Sequence, residues 1–153
     1  MDPENTLIMQ LDSGPVTVKL RPDLAPGHVA RIKELAREGF YDGVVFHRVI
    51  NEFMAQGGDP TGTGTGGSKK PNLPAEFNGE PHVRGVCSMA RTANPDSANS
   101  QFFICFTDAR FLDRQYTVWG KVVEGMDNVD KLPKGEPPRE PGRIISMKVA
   151  ADA

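Results

Sequence analysis

Cysteine is nearly absent from this chain. Its 153 residues include two, Cys87 and Cys105, too few for a disulfide framework. Histidine is scarce too. His28, His47 and His82 lie far apart, and no pair has the spacing of a zinc motif, so no metal is expected and surface or half-buried positions are expected for all three. No apolar run approaches the roughly 20 residues needed to span a bilayer, which argues against a membrane partner. There is no basic block, and a net charge of −2 argues against nucleic acid as a main partner. The opening Met-Asp-Pro-Glu-Asn lacks the basic and apolar regions of a secretory signal, so a cytoplasmic address is expected.

What remains is a globular balance of 38% hydrophobic and 25% charged residues, and a length that suits one domain over residues 1–153. Eight short segments read as strands. Thr6–Leu11 and Val16–Leu20 alternate apolar and polar residues around the turn signal Asp12-Ser13-Gly14-Pro15, and read as a hairpin. Val44–Ile50, Phe53–Gln56, Val86–Met89, Phe102–Phe106 and Val118–Val123 follow. In the last strand Ile145, Met147 and Val149 alternate with Ser146 and Lys148. Pro26 starts a helix whose Val29, Ile32, Leu35 and Ala36 recur at helical spacing, and Gly39 ends it. Met126, Val129 and Leu132 suggest a short second helix. Many strands, two helices and no βαβ rhythm predict a mainly β fold: a closed eight-stranded antiparallel barrel, filled by side chains and capped by two α-helices. Residues 57–85 are rich in Gly and Pro without periodicity, as functional loops often are.

Inside that loop, Gly62-Thr63-Gly64-Thr65-Gly66-Gly67 fits the letters G-x-G-x-x-G. A dinucleotide site needs a helix directly after it, and Ser-Lys-Lys-Pro follows instead, so a flexible loop is the reading. Arg48 lies within an apolar strand region. Taken alone, it reads as half of an ion pair or as a stem lying on apolar surface. In the strand from 101 to 106, Gln101, Phe103 and Cys105 share one face, and Phe102, Ile104 and Phe106 the other. Phe53 and Met54 are neighbours and should point oppositely in a regular strand.

The run Phe46-His47-Arg48-Val49-Ile50-Asn51-Glu52-Phe53-Met54-Ala55-Gln56-Gly57-Gly58-Asp59 closely resembles the signature of cyclophilins. Ser88-Met89-Ala90-Arg91, Ser100-Gln101-Phe102-Phe103-Ile104-Cys105, Phe111-Leu112-Asp113 and Trp119-Gly120-Lys121-Val122 continue the resemblance in family order, over nearly the whole chain. The resemblance implies a peptidyl-prolyl cis–trans isomerase of the bacterial single-domain branch, with the eight-stranded barrel and two capping helices that the strand count reaches independently. By position, Arg48 matches the family's catalytic arginine. Phe53, Met54, Phe103 and Leu112 match its proline pocket, and Gln56 the glutamine beside the arginine. Ala90 and Arg91 match the stretch whose backbone holds the substrate, with Arg91 acting largely through its main chain, and Gln101 matches a further contact. Tyr116 stands where many members have histidine. Phe111 replaces the tryptophan of strongly cyclosporin-sensitive members, so weak cyclosporin binding is implied. For both Phe53 and Met54 to line one pocket, the strand must be irregular between them.

Twisting an X–Pro bond opposes about 18–20 kcal/mol of amide resonance, yet breaks no bond. The expectation is therefore an enzyme without cofactor, a monomer acting on proline-containing peptides and on unfolded or folding proteins. Two alternatives are a proline-peptide-binding chaperone module without catalysis and a small-ligand carrier using the barrel lumen. Both cysteines are expected to be free thiols on opposite faces of the wall, with Cys105 the more reactive because it lies nearer solvent.

Overall fold

Strict alternation builds the first hairpin in the computed structural model, which describes residues 2–153. β1 (Thr6–Leu11) pairs antiparallel with β2 (Gly14–Leu20), from Thr6 opposite Lys19 to Leu11 opposite Gly14. Leu7, Met9, Leu11, Val16, Val18 and Leu20 all face the interior, while Lys19 is exposed. α1 (Pro26–Arg37) starts at a proline, whose missing N–H costs nothing at a first helical position. Its Val29, Ile32, Leu35 and Ala36 are buried. The helix ends in a Schellman turn: Gly39 adopts φ 71°, its N–H donates to Ala36 O, and the Phe40 N–H donates to Leu35 O.

The remaining strands and α-helix are β3 (Arg48–Ile50), β4 (Met54–Gly57), β5 (Val86–Met89), β6 (Phe102–Cys105), β7 (Val118–Glu124), α2 (Met126–Asp130) and β8 (Ile144–Val149). Together the strands form one eight-stranded antiparallel sheet in the order β3-β4-β6-β5-β7-β2-β1-β8. α1 packs on β8 and β7, and α2 on β2. Among the described residues no helix is long and apolar enough to cross a membrane.

Three expectations are corrected. The sheet is a curled half-barrel and not a closed barrel, because no ladder joins β3 to β8. The expected strand Val44–Ile50 is split, and the split explains the seam. Gly43 N–H donates to Ile144 O, Ile144 N–H to Val44 O and Phe46 N–H to Gly142 O, before the chain turns away to form β3. β3 then pairs with β4 and, on its outer edge, exchanges both hydrogen bonds between Val49 and Gly135. The second correction concerns β8. A register shift opposite Gln10 and Leu11 leaves Ile145 out of the ladder, so Ile144 is buried and Ile145 is 53% exposed. Third, all three histidines are buried and not at the surface.

The interior is filled, with Phe46, Phe102 and Trp119 fully buried and meeting edge to face, which leaves no lumen for a carrier. A second, smaller apolar cluster lies on the other face of the sheet, built on Met54, Phe103, Cys105 and Ala109. Residues 58–85 form no strand or helix; one isolated bridge, Leu73 to Ala98, ties them to the next loop.

Candidate active site

Antiparallel register sets the site. Arg48 on β3 lies opposite Gln56 on β4, Gln56 opposite Phe103 on β6, and Phe103 opposite Ser88 on β5. Partners across a ladder point to the same face, so these four form one row on the face away from the filled interior. Met54 and Cys105, two pairs along, continue that face.

Phe53 joins them because it stands outside β4. Residues 50–53 turn, with the Phe53 N–H donating to Ile50 O and Glu52 in the left-handed region at φ 61°. This is the irregularity that lets two sequence neighbours line one pocket. The pocket holds about 140 Å³ and is lined by Arg48, Phe53, Met54, Gln56, Ala90, Arg91, Phe103, Leu112 and Tyr116. Of the residues expected at the site, two lie outside that lining. Phe111 is 68% exposed and rests its ring on Phe53, centroids 5.6 Å apart. Gln101 lines an adjoining polar groove of about 740 Å³, which shares Gln56, Ala90 and Arg91 with the pocket.

The Arg48 guanidinium is tethered at two points. Nε donates to Glu136 Oε1 at 2.9 Å, and Nη1 donates to Gln56 Oε1 at 3.3 Å. Gln56 Nε2 in turn donates to Gln101 Oε1 at 3.0 Å. Glu136 had no signal in the sequence. It lies in the Pro-rich connection before β8 and reaches Arg48 only because Gly135 pairs with Val49.

Arg91 does more than present its backbone. Its Nε and Nη2 both donate to Gln115 O, and the guanidinium lies over the Tyr116 ring, 4.7 Å from the centroid. The side chain thus buttresses an aromatic wall of the pocket. The Ala90 N–H is committed to Gln101 O at 2.9 Å.

Behind Phe103, the His82 ring stacks at 6.1 Å, with Nε2 3.0 Å from Ser88 Oγ and Nδ1 3.0 Å from Asp113 Oδ1. The acceptor-only carboxylate places the proton on Nδ1, and Nε2 accepts from the Ser88 hydroxyl. The order Ser–His–Asp suggests nucleophilic chemistry, but Ser88 and His82 are both 0% exposed and no substrate reaches them. They brace the pocket floor. Burial lowers the His82 pKa, against the opposing pull of Asp113.

Cys105 corrects a further expectation. The two thiols are free and lie on opposite faces, Cys87 in the interior cluster and Cys105 in the pocket-side cluster. Yet Cys105 is fully buried beneath the pocket, and burial pushes its pKa up to about 12, which makes it inert at neutral pH. Among the described residues no group of three or more His, Cys, Asp or Glu side chains is placed to hold a metal ion.

Comparison with known proteins places this geometry. The family described as cyclophilin type peptidyl-prolyl cis–trans isomerase/CLD matches residues 6–149. A probable peptidyl-prolyl cis–trans isomerase of Brucella suis is 56% identical over 167 aligned residues, covering 99% of this chain and 85% of the relative. The crystal structure of the cyclophilin AquaCyp293 from Hirschia baltica superposes with a TM-score of 0.93 at 33% identity, covering all of this chain and 76% of the other. A cyclophilin-type isomerase of Cryptosporidium parvum, crystallised in the presence of the dipeptide Ala-Pro, superposes with a TM-score of 0.88 at 27% identity over 94% of this chain and 98% of the other.

Proposed function

The chain belongs to the cyclophilin-type peptidyl-prolyl cis–trans isomerases, and we propose that it rotates X–Pro bonds by stabilising the twisted amide with Arg48 above an apolar proline pocket. The carrying observation is the tethered guanidinium at the rim of that pocket. As the bond twists, conjugation is lost and the proline nitrogen regains a lone pair that accepts a hydrogen bond. A donor fixed beforehand favours this state over the planar ground state, which is the condition for catalysis. Nε and Nη1 are committed to Glu136 and Gln56, so the other N–H groups of the guanidinium are left for the substrate.

Phe53, Met54, Phe103, Leu112 and Tyr116 grip the ring, with Phe111 extending the apolar lip through its contact with Phe53. The main chain at Ala90–Arg91 holds the residue before proline, and Gln101 contacts the chain in the adjoining groove. One side of the bond is held while the other swings. No σ bond breaks, so the step assigns no role to a nucleophile or a general acid. Substrates are proline-containing peptides and segments of folding proteins, handled by one catalytic domain acting as a monomer. The Ala-Pro dipeptide named with the Cryptosporidium relative supports this substrate class. Cyclosporin binds the same pocket weakly, since Phe111 has no indole N–H to donate.

Arg48→Ala tests the reading. Its side chain is 44% exposed, so the fold survives, and kcat/KM on a proline peptide falls roughly 10²–10³-fold, as for loss of one preorganised donor. A folded variant with near-full activity removes the mechanism. Unchanged peptide binding with no turnover in the wild type would instead indicate a chaperone module.

A further inference from the structure

The loop that mimics a dinucleotide motif is organised around a single side chain. Asp59 is 0% exposed, and the chain from 61 to 66 curls over it. Its Oδ1 accepts from the Thr61 N–H and hydroxyl, both at 2.8 Å. Its Oδ2 accepts from the N–H groups of Thr63, Gly64 and Gly66 at 3.2, 2.7 and 3.0 Å. Burial opposes ionisation, but the N–H groups of Gly66, Thr61 and Gly64 and the Thr61 hydroxyl outweigh it and hold the carboxyl at about 2. The glycines are required by this wrapping. Gly64 takes φ 91°, where a Cβ would press on the His47 ring, and a Cβ on Gly66 would collide with Asp59 Oδ1.

Curled in this way, the loop aims two carbonyls at one target. Gly64 O and Gly66 O accept from Gln101 Nε2 at 3.0 and 2.9 Å. A carbonyl only accepts, so both hydrogens of the Gln101 amide are spent on the loop and its Oε1 must face the other way. At the far end Arg48 only donates, so Gln56 must offer its Oε1 to Arg48 and its Nε2 to Gln101. The two requirements meet without conflict in the Gln56 Nε2 to Gln101 Oε1 bond. Each amide therefore has one permitted orientation, dictated by groups that cannot exchange donor for acceptor.

We infer that Asp59 is a positioning residue for Arg48, acting through the chain of hydrogen bonds from the 61–66 loop to Gln101, Gln56 and the guanidinium. The inference rests on the reading of Arg48 given above. It assigns to a buried carboxylate outside the pocket the task of keeping one donor aimed at the proline nitrogen.

Asp59→Asn tests it. The substitution keeps the shape but turns an NH₂ group against N–H donors, so the loop loses its hold on Gln101. Two readouts are taken on the full chain. In ¹⁵N spectra, the side-chain amide signals of both Gln56 and Gln101 should move and lose protection from exchange. In the isomerase assay, kcat/KM should fall roughly tenfold, while in an Arg48→Ala background the same substitution should cost no more than about twofold, because residues that act as a unit are not additive. Equal losses in both backgrounds, or unmoved glutamine signals, overturn the inference. If Arg48→Ala alone keeps full activity, the reading of Arg48 fails, and the glutamine signals still decide whether the relay exists. Should Asp59→Asn fail to fold, Gln101→Ala cuts the relay in its middle without touching the buried carboxylate. Because Gln101 also contacts the substrate chain, part of its loss is common to both backgrounds, but the loss should remain about fivefold larger with Arg48 present than in the Arg48→Ala background; equal losses in both backgrounds, or full activity, overturn the proposal.

Discussion

Replacing Arg48 by lysine separates charge from geometry. Both side chains are cations at neutral pH, but arginine carries five donors in a planar fork, and lysine three on one rotating atom. In the proposed mechanism the fork matters because of how it is held. Nε is held by Glu136 at 2.9 Å and Nη1 by Gln56 at 3.3 Å, so two anchors set the plane in which the remaining donors lie. A lysine ammonium that keeps either anchor cannot also define that plane. Removal of one preorganised donor costs roughly 2.7–4 kcal/mol, or 10²–10³-fold in rate. The side chain is 44% exposed, and an exposed charge interaction recovers about 1 kcal/mol at most, close to fivefold. Arg48→Lys should therefore remain roughly 20–200-fold below wild type in kcat/KM. A protease-coupled cis-to-trans assay on an Ala-Pro peptide, with far-ultraviolet circular dichroism to confirm the fold, measures it. Activity within about threefold of wild type would show that charge alone suffices and that the tethers are incidental.

Stability should depend on pH through the histidines. Burial lowers the pKa of His28, His47 and His82 from 6.5, so the folded state binds fewer protons than the unfolded one; stability is full above about pH 7 and is lost as pH falls through 6.5 toward the folded values. The loss can reach about 1.4 kcal/mol per histidine by pH 5.5, and denaturant midpoints at pH 7.5 and 5.5 that coincide would refute it. Asp59, at about 2 against an ordinary 3.8, adds a second loss below about pH 4, which Asp59→Asn should abolish. Neither thiol should react with a maleimide in the native protein, since both are fully buried, and both should react in denaturant; rapid native labelling of Cys105 would contradict its placement under the pocket. Phe111→Trp should tighten cyclosporin binding in a calorimetric titration, and unchanged or weaker binding would locate the deficit elsewhere.

Where one physical rule acted alone, the sequence was legible. β1 and β5 run as the alternation and the apolar run of the sequence indicate, Thr6–Leu11 and Val86–Met89, because each pairs on both sides, β1 hiding chiefly one face and β5 both. Pro26 and Gly39 marked the ends of α1 because each has a fixed backbone consequence. Local pattern failed where tertiary pairing decided. Residues 44–50 carry apolar side chains on both sides of His47 and Arg48 with no alternation, so nothing local announces that 43–46 bond to 142–144 while 48–50 bond to β4. Ile145 follows period two on paper, and only the shift opposite Leu11 turns it outward. The pocket side chains were legible through the cyclophilin resemblance. Glu136 and the bracing by His82 were not, since each depends on a contact between residues far apart in the chain. Asp59 ended the signature run, but its role is visible only once five donors converge on it.

The wall made by β4 and β6 carries apolar side chains on both sides. Ala55 and Ile104 face the filled interior, and Met54, Phe103 and Cys105 face the pocket. In the proposed mode substrate meets the outside of the half-barrel, and the side chains of the main interior cluster are not the ones assigned to grip proline. The familiar exchange of stability for activity arises where one set of residues serves both ends. Here the two sets are separable by strand parity. Volume-conserving changes at interior positions such as Val18, Ile104 or Met147 should therefore alter the folding free energy and leave the pocket face unchanged.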